Sequence, residues 1–213
     1  MMDELELLKK DWQKKSDQLP KLSYDEIYRM ILKKSSSIVK WIFYISIAEF
    51  LFWILIGQLP LEESKTDKNF LYTETLAWVL EGITYAVMLF FMVKFYLNYK
   101  QINNTDSAKA LMQKILKTRK TVVNYVWASM SIAILSGIII SLEMFFYEPE
   151  FKSIQENIAA RDNPILIYVL MAVLIVVCLI LLGGALWLFY RLIYGILLKR
   201  LLINYKELKK LEV

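Results

Sequence analysis

Glu49, within ISIAEFLFWIL, and Glu81, within WVLEGITYAV, are carboxylates inside long apolar runs of this chain. A carboxylate at bilayer depth is costly, so each must face a bundle interior or be neutral. Glu49 falls at the centre of its run, which leaves two readings open. It is a proton or cation site or a polar contact to a partner subunit, or else a neutral acid hydrogen-bonded to a neighbouring helix. Glu81 lies about one and a half turns below the outer end of its run and is followed by Gly82, where water or upward snorkelling accommodates it. Their different depths, middle against outer third, argue against a shared acid–base pair.

Little other chemistry is available. No histidine occurs anywhere, and Cys178 is the one cysteine. That removes the commonest metal ligand and general base, and with them His/Cys zinc, haem-histidine and cysteine-cluster sites. No glycine-rich phosphate loop is present. A serine nucleophile would need a histidine or lysine base, and the deep polar groups are carboxylates. The expectation is a protein that is not an enzyme and holds no cofactor and no metal. Cys178 cannot pair within the chain and reads as a small apolar packing residue.

The elements that must position the carboxylates are four apolar runs, roughly 39–59, 75–96, 122–146 and 165–189. Each is near the ~20 residues a helix needs to cross a bilayer. A hydrophobic fraction of 57% and a mean hydropathy of +0.42 exceed what a soluble helical bundle of this size carries. The pattern predicts an all-α, four-transmembrane-helix bundle. Of the 26 Lys and Arg, only Lys65, Lys68, Lys152 and Arg161 fall in the first and third connections. The rest flank the runs on the other side, which places both termini in the cytoplasm. The net charge of +5 therefore meets anionic headgroups, and no nucleic acid is expected. The first run begins near residue 38 and is too long for the apolar core of a signal peptide, so it is expected to act as its own uncleaved insertion signal. Trp41, Tyr44, Tyr72, Trp78, Trp187 and Tyr190 lie near run ends and read as interfacial anchors.

Residues 1–37 read as a cytoplasmic amphipathic arm, with Leu5, Leu8 and Trp12 on one face and Pro20 ending the first helix. Ser23 and Glu26 form a capping-box pattern, from which one helix runs into the first span. Residues 38–198 form the transmembrane domain, with a cytoplasmic helical connection over 97–121, and 199–213 form a basic helical tail. A shift of 84 positions lays Ile31-Leu32-Lys33 on Ile115-Leu116-Lys117 and Ile54-Leu55-Ile56 on Ile138-Ile139-Ile140. Two parallel helical-hairpin repeats would follow, related by an axis along the membrane normal. A chance match of two basic-then-apolar helices is the alternative. Asn104, Thr105 or Asp106 would cap the second copy. Residues 60–74 read as mostly irregular. Phe151, Ile154 and Ile158 suggest a short helix on the outer surface, and Asn163-Pro164 a cap followed by Pro at the first helical position.

Ser129, Ala133, Gly137 and Ser141 recur every four residues, a small-residue stripe that lets helices approach closely in lipid. Packing within the chain and a homo-oligomer contact are both open. By the repeat offset Glu49 corresponds to Ala133, so the stripe's serine hydroxyls are expected to satisfy it. Gly183-Gly184 offers a second close-approach site.

The segments DELELLKKDW at 3–12, LPKLSY at 19–24 and KKSSS at 33–37 resemble small uncharacterised four-span inner-membrane proteins of Bacteroidota. That resemblance implies a bacterial inner membrane and no known activity. Some such proteins carry a carotene-oxygenase label, but those enzymes hold iron with histidines, which this chain lacks. The reading is a non-catalytic accessory or regulatory subunit in contact with membrane lipid and with a protein partner on the cytoplasmic side. The apolar arm face at Leu5, Leu8 and Trp12 would bind the partner, or else lie on the membrane or on the 97–121 connection. A small transporter or channel subunit using Glu49 is the competing reading.

Overall fold

Local signals set the ends of the helices. Ser23 Oγ accepts the Glu26 N–H at 3.3 Å, and the Ser23 N–H donates to Glu26 Oε2 at 2.8 Å. This closes the expected capping box and holds the Glu26 carboxyl below the usual carboxylate range. The computed structural model describes residues 6, 9, 23–58, 71–105, 107–147, 149–159 and 164–211. Leu5, Leu8 and Trp12 lie outside the described residues.

Helix α1 covers Tyr24–Gly57, α2 Leu71–Asn103, α3 Ala108–Tyr147, α4 Pro149–Ala159 and α5 Pro164–Leu211. Every element among the described residues is a helix. Four of them, α1, α2, α3 and α5, contain stretches long and apolar enough to cross a membrane. Three boundaries differ from the sequence reading. α1 stops at Gly57, and α2 already begins at Leu71, inside the segment expected to be irregular. The cap of α3 is Ser107, whose Oγ accepts the Ala110 N–H. Of the caps proposed for α3, Asn104 and Thr105 precede it in the turn and Asp106 lies outside the described residues. Thr105 instead donates to the Gln101 carbonyl and accepts from Lys114 Nζ. The short helix expected over 147–163 is α4, strapped down by Gln155 donating to the Phe145 carbonyl at 2.7 Å. Pro164 opens α5, where its missing N–H costs nothing.

The long helices form a ring in which α1 packs on α2 and α5, and α3 on α2 and α5. The end that carries the start of α1, the α2–α3 turn and the end of α5 is the basic end. Each helix contributes a seam to the core with alternating steps near three and four. α1 buries Ile31, Ser35, Val39, Ile42, Ser46 and Glu49, while α5 buries Tyr190, Tyr194, Leu201, Asn204 and Leu208. α3 adds Leu111, Ile115, Thr118, Val122 and Tyr125, and α2 adds Met88, Phe91, Phe95, Asn98 and Ile102. A 3.5-residue repeat of this kind drives antiparallel helices into a left-handed bundle.

That seam ends at one level on all four helices. Beyond Glu49, Met88, Tyr125 and Tyr190, away from the basic end, no described residue of these helices is fully enclosed. The most apolar stretch of α5 has none of its residues buried. Apolar side chains facing outward over such a length suit a lipid environment and not water. From this level α1 continues about 12 Å to Gly57 and α3 about 33 Å to Tyr147, at roughly 1.5 Å per residue. The α3–α5 pair therefore reaches much further from the basic end than α1 does.

If stability resides in the seam, Leu111→Ala should destabilise the bundle by about 2–5 kcal/mol. Leu181→Ala, at a side chain 67% exposed, should change it little. Thermal unfolding of both variants in a mild detergent tests this, and equal losses would contradict it.

Candidate functional site

Glu49 reaches the bundle interior from the last buried turn of α1 and is only 6% exposed. Its two oxygens are both occupied. Tyr190 donates its hydroxyl to Oε1 at 2.7 Å, and Tyr194 donates to Oε2 at 3.0 Å. The two tyrosines lie one turn apart on α5, so their rings stack at 6.0 Å and bring both hydroxyls to one carboxyl. Tyr125 of α3 sets its ring edge-on against both, at 6.1 Å and 5.8 Å. Phe91 and Phe95 of α2 close on Tyr125 at 5.4 Å and 5.5 Å. All four long helices thus meet around one carboxyl group.

The surroundings differ on its two sides. Toward the basic end, Val39, Ile42, Phe95, Val122 and Leu201 are fully buried, with the polar Ser46, Asn98 and Thr118 enclosed among them. On the other side lies a cavity of about 200 Å³ whose lining includes Trp53, Thr84, Ser129, Ser136 and Tyr190. The Ser129 hydroxyl is enclosed there, beside Tyr190, and makes no hydrogen bond within 3.5 Å among the described residues. Tyr190 belongs to both the cavity wall and the Glu49 pair. Chemically, the cluster can hold a carboxyl group satisfied by two phenols and present polar edges to a small guest.

Several sequence expectations are revised. The hydroxyls that satisfy Glu49 come from Tyr190 and Tyr194, not from the serines of the α3 stripe. Tyr190 is buried and is no interfacial anchor. Glu49 also sits opposite the basic end of the fourth apolar run, because its partners flank Arg191. Glu81 accepts from Tyr85 of its own helix at 2.7 Å, and its Oε1 lies 3.3 Å from where a Cβ on Gly57 would stand. Gly57 is two turns beyond Glu49 on α1, so the two carboxylates are not brought together.

The small-residue stripe divides along its length. Ser129 and Ala133 line the cavity. At Gly137 an added Cβ would come within 2.9 Å of Leu179 Cδ2, the end of a flexible side chain that would have to shift. Ser141 donates to the Gly137 carbonyl at 2.7 Å. Gly183 and Gly184 would meet nothing within 4 Å and make no close approach in this chain. Cys178 is exposed, facing away from the bundle rather than packing in it. A second polar bridge was not anticipated: Asn204 donates to Ser35 Oγ at 3.0 Å in the buried seam. The available signal for the tyrosines was phase, since Tyr190 and Tyr194 continue the repeat that carries Leu201, Asn204 and Leu208.

Removing one donor leaves a buried acceptor bare, so Tyr190→Phe should cost about 1–3 kcal/mol. In a Glu49→Leu background the same change should cost distinctly less. A double-mutant cycle on unfolding free energies measures that coupling, and additive losses would show that the bond contributes nothing.

A family described as Domain of unknown function (DUF8845) matches residues 25–213. That stretch takes in every residue around Glu49 and all five helices except the first residue of α1. No curated protein and no solved structure matches the chain.

Proposed function

The chain belongs to the DUF8845 family, and we propose that it is a non-catalytic accessory or regulatory subunit of a bacterial inner-membrane complex. In this reading both termini and the basic end lie in the cytoplasm, and a protein partner docks there. The two helical hairpins, α1–α2 and α3–α5, stand as parallel repeats, and α4 lies at the outer surface.

One observation carries the proposal. The buried seam occupies the basic end and stops partway into the apolar layer, so the best-packed part of the molecule stands beside or outside the membrane. A rigid helical head of this kind is built to present a surface. Its exposed side chains include Lys33, Lys34, Lys109, Lys117 and Lys120, with Tyr24, Met30 and Leu116 between them. Mixed basic and apolar surface suits a partner with acidic and apolar groups. The arm with Leu5, Leu8 and Trp12 precedes the family match, so deleting residues 1–19 spares the matched domain. A cross-linking pull-down in mild detergent should recover a specific partner with the full chain and lose it on that deletion. Recovery of the same proteins without the arm would remove the arm's role, and recovery of none by the full chain would remove the partner.

A second reading, a small transporter or channel subunit, draws on the cavity that meets Tyr190 beside Glu49. The close packing on the basic side of Glu49, where Val39, Ile42, Phe95 and Val122 are fully buried, leaves no open path there in this conformation. Proton or cation flux into proteoliposomes should be absent for the parent chain. A flux that Glu49→Gln abolishes would reverse the order of the two readings.

A further inference from the structure

We propose that the lipid-facing seam between α3 and α5 holds an anionic glycerophospholipid, its phosphate on Arg191 and its glycerol ester region between Trp127 and Trp187. The site is independent of partner docking and rests only on the four apolar helices crossing a membrane.

Arg191 is a solitary cation in α5. From residue 164 to residue 198 no other Lys, Arg, Asp or Glu occurs, and the next basic pair, Lys199 and Arg200, is two turns on, about 12 Å nearer the basic end. Its neighbours Leu188, Leu192 and Ile196 are exposed apolar side chains. The guanidinium therefore stands at the depth where headgroup gives way to acyl chain, deeper than the other cations of the helix. A charge at that depth needs a counter-charge. Among the described residues Arg191 has no carboxylate partner. The nearest acid along the bundle, Glu49, is enclosed and already bonded by Tyr190 and Tyr194.

The seam is shaped for an anion from the lipid side. Arg191 lies over the Trp187 ring at 4.8 Å, which holds the guanidinium against α5. Trp127 and Trp187, 67% and 48% exposed, border the same groove of about 150 Å³, with Gly195 in its wall. At Gly195 an added Cβ would meet only Arg191 Cγ, at 3.8 Å, so the missing side chain leaves the groove open one turn below the charge. A guanidinium offers a planar fork that fits two phosphate oxygens, and indole N–H groups donate at headgroup depth. Basic pockets between spans at a membrane face suit anionic lipid headgroups. Above the groove, toward the far end, Ile138, Leu142 and Phe145 continue the face of α3 that carries Trp127. With Val176 and Leu179 they line an apolar hollow of about 440 Å³, a continuation for acyl chains.

Native mass spectrometry of the full chain released from mild detergent, titrated with phosphatidylglycerol, tests the site. One phosphatidylglycerol should be retained per chain, with phosphatidylcholine retained about tenfold less, the loss expected for a charged hydrogen-bonded pair. Arg191→Gln should lower phosphatidylglycerol retention about tenfold. Gly195→Leu, which keeps the charge and fills the groove, should lower it as well. On the unaltered chain, phosphatidylglycerol but not phosphatidylcholine should raise the melting temperature, a readout that does not depend on any variant folding. The proposal is overturned if Arg191→Gln retains the lipid as the parent does, or if the two lipids bind and stabilise alike. Displacement of the lipid by millimolar inorganic phosphate would overturn it too, by making the groove a free-anion site.

Discussion

A carboxyl group beside hydrocarbon must have its oxygens satisfied, and here that requirement fixes how α1 meets α5. Glu49 is bonded by Tyr190 and Tyr194, and Ser35 by Asn204. Ser35 and Glu49 stand two heptads apart on α1, as Tyr190 and Asn204 do on α5, so both contacts form in a single register of an antiparallel pair. Slipping either helix by one turn would break both and strand buried polar groups at each. Apolar packing alone is more forgiving, because leucine and valine seams can interdigitate in several registers. The polar pairs thus specify the alignment, and the apolar seam makes it stable.

The same register gathers the remaining helices. Tyr125 wedges α3 against the paired tyrosines, and Phe91 and Phe95 bring α2 against Tyr125. At the basic end the α2–α3 turn is clamped from two sides. Tyr28 donates to the Thr105 carbonyl at 2.8 Å, and Lys114 to the Gln101 carbonyl at 2.8 Å. These bonds tie α1 and α3 to the last turn of α2, where free carbonyls otherwise go unpaired. The packed head is therefore closed at both of its limits, by the aromatic group above and the turn below.

Much of this was readable from residues alone, for physical reasons that differ by element. The four spans follow from run length and hydropathy, which depend on composition and need no partner. The Ser23 cap and Pro164 start are local, set by bonds within a turn. The Glu49–Tyr190–Tyr194 group joins residues far apart in sequence, and no local pattern encodes it. Near a span end a tyrosine reads as an anchor, and only its place in the 3.5-residue phase with Leu201 and Leu208 turns it inward. Glu49 is central in its own run, yet across the bundle it meets the basic end of the fourth run. Depth is set by the neighbours across the bundle, and α3 and α5 are offset from α1. Gly183 and Gly184 read as a packing motif because small residues permit close approach, but among the described residues nothing lies within 4 Å of a Cβ at either.

α5 is a single helix of 48 residues, about 72 Å long, against the ~30 Å hydrocarbon layer it would cross. It begins among exposed apolar residues and ends at Lys209 and Lys210 in the head, with no proline after its first residue and no break in the helix. A rod of that length acts as a lever arm. A change of tilt of a few degrees at its far half, as bilayer thickness varies, sweeps its last turn sideways by several ångströms. Because Tyr190, Tyr194 and Asn204 bind the rod to α1, the head moves with it as one body. Any tilt of the rod would be carried into the position of the basic surface.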